Sequence, residues 1–324
     1  MFDTVAAKFE KGPYIPKDAS RNAWETRKHD RFDAKLGTRM ESVVHTLNLD
    51  QVRIAIMGDA GILWFESSLP KLIHGNNLAS VTSAAEPLQL LWECLSDHVG
   101  GEIPALEHAE YMRVDYCHNF SVGDALQDYV ATLGSVAFLK HRRTTDGHGG
   151  VEWWNANRRV RAYDKHKEIL EMDSKDLPEA RGVLRFEIQL RKKSQYLQRR
   201  LQEKSPALSA ILQPQIAYAC LVETLNKMCL DLEFVPQDDA RSILDGAVGF
   251  RRATRRLGIL RRFQSDGMQR MRTISARSSY YADKAVLRRL GLWPPSATEN
   301  RLPGLVMPPL EEILANQASM SVEV

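Results

Sequence analysis

VLRFEIQLR, residues 183–191, sets Leu184, Phe186, Ile188 and Leu190 against Arg185, Glu187, Gln189 and Arg191 in strict alternation. Side chains on a strand point to opposite faces in turn, so the stretch reads as a β-strand with one apolar and one charged face. Two earlier stretches do the same. In YMRVDYCHN (111–119), Met112, Val114 and Tyr116 share a face opposed by Tyr111, Arg113 and Asp115. In RRVRAYDK (158–165), Val160 and Ala162 oppose Arg159, Arg161, Tyr163 and Lys165. Each strand places an Arg two residues before a side chain capable of chemistry: Asp115, Tyr163 and Glu187. Tyr116, on the apolar side, reads as packing.

Outward from these strands the pattern is mixed. VRIAIMG (52–58) and ILWFESS (62–68) flank Asp59-Ala60-Gly61, a hairpin turn by composition. EPLQLLWECLSDHV (86–99) has helical spacing, and VGDALQDYVATL (122–133) follows with Ser121 as a cap and Gly134 as a stop. SVAFLKH (135–141) and VEWWN (151–155) read as strands around a loop tip, TTDGHGG (144–150). A short helix is expected over 165–172. From Pro206 onward the character is helical, over 211–232, 238–260 and 278–292. The expected fold class is α+β: an antiparallel-sheet domain over 41–205, then a basic helical domain over 206–295. Residues 1–40 read as an irregular polar arm and 296–324 as a weakly structured tail.

Composition narrows the classes. With 324 residues, 44% hydrophobic and 26% charged, the chain is not collagen-like, coiled-coil or wholly disordered. It has no apolar run of bilayer length and no secretion signal, so no membrane partner is expected. Cys94, Cys117, Cys220 and Cys229 lack CxxC spacing, which argues against zinc and disulfides and for a reducing cytoplasm. The net charge of +3 hides an asymmetry: residues 251–290 hold eleven Arg and one Lys against two Asp. Arg in such excess favours planar phosphate recognition. Arg251, Arg252, Arg255 and Arg256 fall on one side of a helix, and a helix-turn-helix over 239–290, with Gly258 or Gly267 at a turn, is one arrangement they suit. A solvated charged surface is the other reading.

If the three strands share a sheet, their polar face collects two carboxylates, a phenol and several cations. Carboxylates with water and phosphate are typical ligands of Mg²⁺. A tyrosine can form a covalent intermediate, and Arg and Lys can hold the phosphate it attacks. Alternating Arg and Glu also serve as cross-strand ion pairs on solvated strands; the pattern leaves both readings open. A third reading, a single-strand binding module, asks for exposed aromatics on that polar face, where the sequence shows mainly charges. Trp153 and Trp154 point to opposite faces, so at most one packs into the main core.

In order along the chain, SLPKLIHGNN (68–77), RVD (113–115), AYDKHKEI (162–169), VLRFEIQLR (183–191) and GFRRATRRLGILRRFQSDG (249–267) resemble blocks of the gene II/gene X replication initiators of filamentous phages. There is a more distant likeness to plasmid rolling-circle initiators. The resemblance implies an endonuclease that nicks one strand of double-stranded origin DNA and later rejoins the displaced single strand. It makes Tyr163 the nucleophile of a 5′-phosphotyrosine. Asp115 and Glu187 would hold Mg²⁺ (or Mn²⁺). Lys165 and Arg161 would contact phosphate oxygens, and Glu168 would act as ligand, proton acceptor or helix cap. Arg113 and Arg185, on the same strands, are further expected DNA contacts. A host helicase and a host polymerase are the implied partners, in the bacterial host cytoplasm, and the sequence leaves open whether the protein dimerises on DNA. No nucleotide-binding glycine motif is present. No His-x-His occurs among the nine His, so carboxylates are expected to dominate the metal site. His141 and His148 could face each other across a hairpin, and His118 reads as a strand-end residue. Tyr196 is a candidate second tyrosine, while Tyr280 and Tyr281 could stack on bases or, the favoured reading, lie buried under the last helix. KHRR (140–143) could form a basic hairpin base, and Gly75 a turn of positive φ. The alternative function is a non-catalytic DNA-binding regulator of phage or plasmid replication.

Overall fold

The computed structural model describes residues 1–17, 24–33, 38–136, 138, 142–145, 149–173, 177–248, 251–260 and 277–320. The fold class is α+β, with a large antiparallel sheet and helices toward the C-terminus. The chain forms two compact units: Met1–Cys117 with Gln189–Tyr218 and Leu310–Val324, and His118–Ile188 with Ala219–Pro309.

In the first unit, strands β1 (Phe2–Phe9), β3 (Glu25–Asp33), β4 (Thr38–Asn48), β5 (Val52–Met57), β6 (Ile62–Ser68) and β8 (Glu110–Ser121) hydrogen-bond in the order β3-β4-β5-β6-β1-β8. A small second sheet pairs β2 (Ile15–Pro16) with β7 (Val99–Gly100). The hairpin turn expected at 59–61 is a 3-10 turn closed by Gly61 at φ 60°. Helix α1 (Leu69–His74) ends on Gly75 at φ 68°, whose N–H donates to Lys71 O. This is the positive-φ turn that glycine tolerates best. Helix α2 (Ala85–His98) follows.

The irregular arm expected over residues 1–40 is corrected here. Phe2, Val5, Ala7 and Phe9 are buried, and β1 lies between β6 and β8 as a central strand. A strand covered on both faces carries no polar–apolar alternation, so FDTVAAKF lacks the period-2 signal. Residues 25–33 and 38–48 form a second departure, a long charged hairpin with Glu25 opposite Thr46 and Asp33 opposite Thr38.

In the second unit, β9 (Arg142–Thr145), β10 (Val151–Trp154), β11 (Arg158–Asp164) and β12 (Val183–Arg191) take the order β12-β11-β10-β9. Val151 pairs with Ala162 and Trp154 with Arg159. Helix α3 is Leu126–Ser135, preceded by a 3-10 turn at Gly123–Ala125. Neither Ser121 nor Gly134 bounds the helix as expected. Thr144 and Thr145 belong to β9 rather than to a loop tip. Of the strand expected over 135–141, Ser135 ends α3, and residues 137 and 139–141 lie outside the described residues. Helix α4 is Lys165–Asp173.

The expected division at residue 205 is corrected as well. β8 and β12 each run from one unit into the other. Lys192 N–H donates to Met112 O in the first unit, and Val122 N–H to Gly182 O in the second. Each unit thus draws on both halves of the chain, because antiparallel neighbours need not be close in sequence. Helices α5 (Gln195–Leu201), α6 (Leu208–Ile211), α7 (Pro214–Met228), α8 (Gln237–Val248), α9 (251–260), α10 (Arg277–Arg289) and α11 (Leu310–Met320) follow. Leu244, Ala253, Leu257, Leu260, Leu287 and Trp293 form the core of the helical part of the second unit. The C-terminal stretch is more ordered than expected: Leu302 and Leu305 are buried, Leu302 exchanges backbone hydrogen bonds with Phe234, and α11 spans Leu310–Met320. Among the described residues, no helix is long and apolar enough to cross a membrane.

Candidate active site

The second unit builds a constellation around Tyr163. Alternation along β11 puts Arg161 and Tyr163 on one face, and the neighbouring strand β12 brings Glu187 beside them. The Tyr163 hydroxyl donates to Glu187 Oε2 at 3.0 Å. Arg161 Nη1 lies 3.6 Å from Glu187 Oε1, and its guanidinium carbon sits 4.5 Å from the centre of the Tyr163 ring. Directly after the strand, α4 begins with Lys165, and the Asp164 carboxylate accepts from Lys167 N–H at 3.1 Å, an N-cap arrangement. Lys165 Nζ donates to Glu168 Oε2 at 2.7 Å and stands 5.9 Å from the Tyr163 ring centre. Tyr163 is 1% exposed, Glu187 3% and Lys165 0%. Backbone passes close behind the tyrosine: a Cβ on Gly150 would lie 2.4 Å from Tyr163 Cβ and 2.5 Å from Ala162 O.

This grouping is chemically specific. The Glu187 carboxylate accepts the phenol's proton in a hydrogen bond, the geometry a proton transfer needs. Two cations beside the ring offset negative charge that develops there. The Lys165 ammonium, buried, is compensated by Glu168; an unpaired buried charge would be far costlier.

The first unit holds a second cluster. Arg113 Nε donates to Asp115 Oδ1 and Oδ2 at 2.9 and 3.0 Å, its Nη2 donates to Asp115 Oδ2, and its Nη1 donates to Glu66 Oε1 at 2.6 Å. Asp115 is buried. The β1 register explains the reach: Ala6 pairs with Glu66 on one side and Arg113 on the other. A methyl group between them leaves the ion pair room. Glu66 is absent from the sequence reading; its signal is a charge inside the apolar run of β6.

On β12 the polar face is not solvated. Arg185, Glu187 and Gln189 are all buried on β12. Arg185, an expected DNA contact, is 0% exposed, on a strand covered on both sides that keeps its charges inside. The cross-strand ion pairs weighed from the pattern also exist, as Glu152 Oε2 accepts from Arg159 Nε at 2.7 Å. Tyr116, read as packing, is buried and donates to Ile211 O at 2.6 Å. His118 lies within β8 rather than at its end, edge-on to Phe120 at 4.7 Å. Burial pushes its pKa down to about 4. Residues 141 and 148, the expected facing histidines, are outside the described residues, as are residues 140–141 of the basic hairpin base and the side chains of Tyr280 and Tyr281. Tyr196 lies on α5 in the first unit, whereas Tyr163 belongs to the second.

On α9, Arg251 and Arg252 are exposed. Arg255 Nη2 and Arg256 Nε instead meet Asp283 of α10, at 2.7 and 3.4 Å. Asp283 is a partner the sequence reading missed. Gly258 lies inside α9 and not at a turn, and Gly267 falls outside the described residues.

Fold and site together define an α+β protein whose antiparallel sheet carries a buried tyrosine in a hydrogen bond to a carboxylate, with two cations at its ring. The family model for the N-terminal region of the phage replication-associated protein, the gene II product, matches residues 14–205, more than half of the chain, and the chain belongs to that family. Membership gives the protein a role in the initiation of rolling-circle replication. Comparison with curated proteins gives no match.

Proposed function

We propose that the protein is a nicking–closing enzyme that cuts one strand of double-stranded origin DNA through a phosphotyrosine at Tyr163. The observation that carries this reading is the 3.0 Å hydrogen bond from the Tyr163 hydroxyl to Glu187, with Arg161 and Lys165 at the same ring. The Tyr163 oxygen attacks the scissile phosphorus as the bond to the 3′ oxygen breaks. The phenol's proton passes along its hydrogen bond to Glu187 Oε2 as the bond to phosphorus forms, and the freed 3′ oxygen takes a proton from water. Arg161 and Lys165 stabilise charge on the phosphate oxygens, and Glu168 keeps the Lys165 ammonium in place. The phosphotyrosine conserves the bond, so the reverse attack by a 3′-OH rejoins a strand. The free 3′ end serves a host polymerase, with a host helicase opening the duplex, in the bacterial cytoplasm.

Mg²⁺ (or Mn²⁺) fits the donor chemistry. Among the described residues no three His, Cys, Asp or Glu side chains gather into a ready metal cage. Mg²⁺ in phosphate chemistry commonly takes one or two carboxylates and completes its shell with water and phosphate oxygens. Glu187, at the Tyr163 hydroxyl, is the carboxylate offered for it. When bound, the ion polarises the phosphate.

A covalent-adduct assay tests the proposal. Protein is mixed with the supercoiled replicon that encodes it and Mg²⁺ or Mn²⁺, denatured, and digested with nuclease. Wild type is expected to give open-circle DNA and a nucleotide-bearing protein band, and Tyr163→Phe neither. An adduct that persists in Tyr163→Phe moves the nucleophile elsewhere, to Tyr196 first. Specific binding without nicking leaves the regulator as the function.

A further inference from the structure

The register of the second unit places Trp154 on the tyrosine's face of the sheet. Trp154 pairs with Arg159, and Glu152 with Arg161. Paired residues of neighbouring antiparallel strands share a face, and Arg159, Arg161 and Tyr163 alternate along β11. Exposure rises away from the tyrosine: Tyr163 is 1% exposed, the Arg161 side chain 17% and the Arg159 side chain 40%. Trp154, beside Arg159, is 37% exposed, whereas its neighbour Trp153 is 0% exposed, with its indole N–H donating to Val136 O. Arg142 holds the register position across from Trp154 on β9. A large aromatic ring therefore meets solvent between two arginine positions, at the open end of the face that leads to Tyr163.

We propose that Trp154 is a stacking platform for an unpaired base of single-stranded DNA, on the strand that runs to Tyr163. The Arg159 side chain, 40% exposed beside the ring although shared with Glu152, offers N–H donors to the phosphates of that strand. Every base has a π-face, so such a platform works without sequence preference. Arg159 stands four residue steps before Tyr163 on β11, roughly 13 Å at strand rise, which sets the stacked base within a few nucleotides of the scissile phosphate. The platform deepens the nicking reading and rests on it for the strand's identity. Its function is to grip the strand as it unpairs, so that the phosphate reaches the tyrosine in one position.

Fluorescence anisotropy of a labelled oligo-dT single strand tests it with the full chain. Trp154→Leu keeps an apolar side chain and removes the π-face; Trp154→Phe keeps a π-face. Trp154→Leu is expected to weaken binding about tenfold, and Trp154→Phe to stay within about threefold of wild type, with the salt dependence unchanged in both because no phosphate contact is lost. Binding of a labelled duplex of the same length stays unchanged. Wild-type affinity in Trp154→Leu, or an equal loss in Trp154→Phe, overturns the platform. Nicking by wild type on the encoding replicon is read separately. A nicking enzyme whose oligo-dT affinity ignores Trp154 loses the platform alone, and a protein that never nicks but needs Trp154 for oligo-dT loses the nicking reading alone.

Discussion

Arg113 reaches Glu66 at 2.6 Å across an intervening strand, and the residue between them in register is Ala6. The pair exists because position 6 has only a methyl group. Ala6→Leu is expected to destabilise the protein by about 1–3 kcal/mol through overpacking and to release Arg113 from Glu66. Thermal unfolding of Ala6→Leu beside Glu66→Gln checks this. Glu66→Gln should cost less, since the Arg113 side chain is about a third exposed and water screens the pair.

Tyr163→Phe separates chemistry from packing. The ring stays buried under Arg161, and one hydrogen bond to Glu187 is lost, a net cost of about 0.5–1.5 kcal/mol. The melting temperature should therefore fall only modestly while the DNA adduct disappears entirely. A collapse of the fold in Tyr163→Phe would show that the hydroxyl is chiefly structural.

The strands that carry Tyr163 and Glu187 are legible from alternation alone, because their apolar halves are unbroken: Leu184, Phe186, Ile188 and Leu190 on one, Val160 and Ala162 on the other. What alternation does not carry is the environment of the polar half. Arg185 and Glu187 alternate like solvated residues yet are buried, and only the neighbouring strands and helices decide that. β1 is illegible for the opposite reason, since both of its faces are covered and Ala6 and Ala7 give no amphipathic contrast. Glu66 and Asp283 escape a motif reading because each matters through one long-range partner, Arg113 and the Arg255–Arg256 pair.

His118 makes acid stability predictable. Burial lowers its folded pKa to about 4 from an ordinary value of 6.5. Between those values the unfolded chain binds a proton that the folded chain does not, so stability rises with pH across that window. Below about pH 4 both states are protonated and the loss is complete, up to about 3 kcal/mol. Denaturant unfolding of wild type and His118→Gln at pH 7 and pH 4.5 measures it: the variant should lose less on acidification. An equal loss in both would place the acid sensitivity in other groups.

The arginines of α9 divide by their partners. Arg251 and Arg252 are exposed, whereas Arg255 and Arg256 meet the Asp283 carboxylate. Each phosphate neutralised in duplex DNA contributes about 0.9 to the slope of log affinity against log salt. Replacing Arg251 and Arg252 together by Gln should lower that slope by roughly 1.8 if each arginine holds one phosphate. Arg255→Gln should lower it less, because Asp283 already offsets its charge. Asp283→Asn adds the converse test: freeing Arg255 and Arg256 should tighten duplex binding at low salt and steepen the slope, at some cost in helix packing. An unchanged slope in the Arg251/Arg252 double variant would remove α9 from the DNA-binding surface.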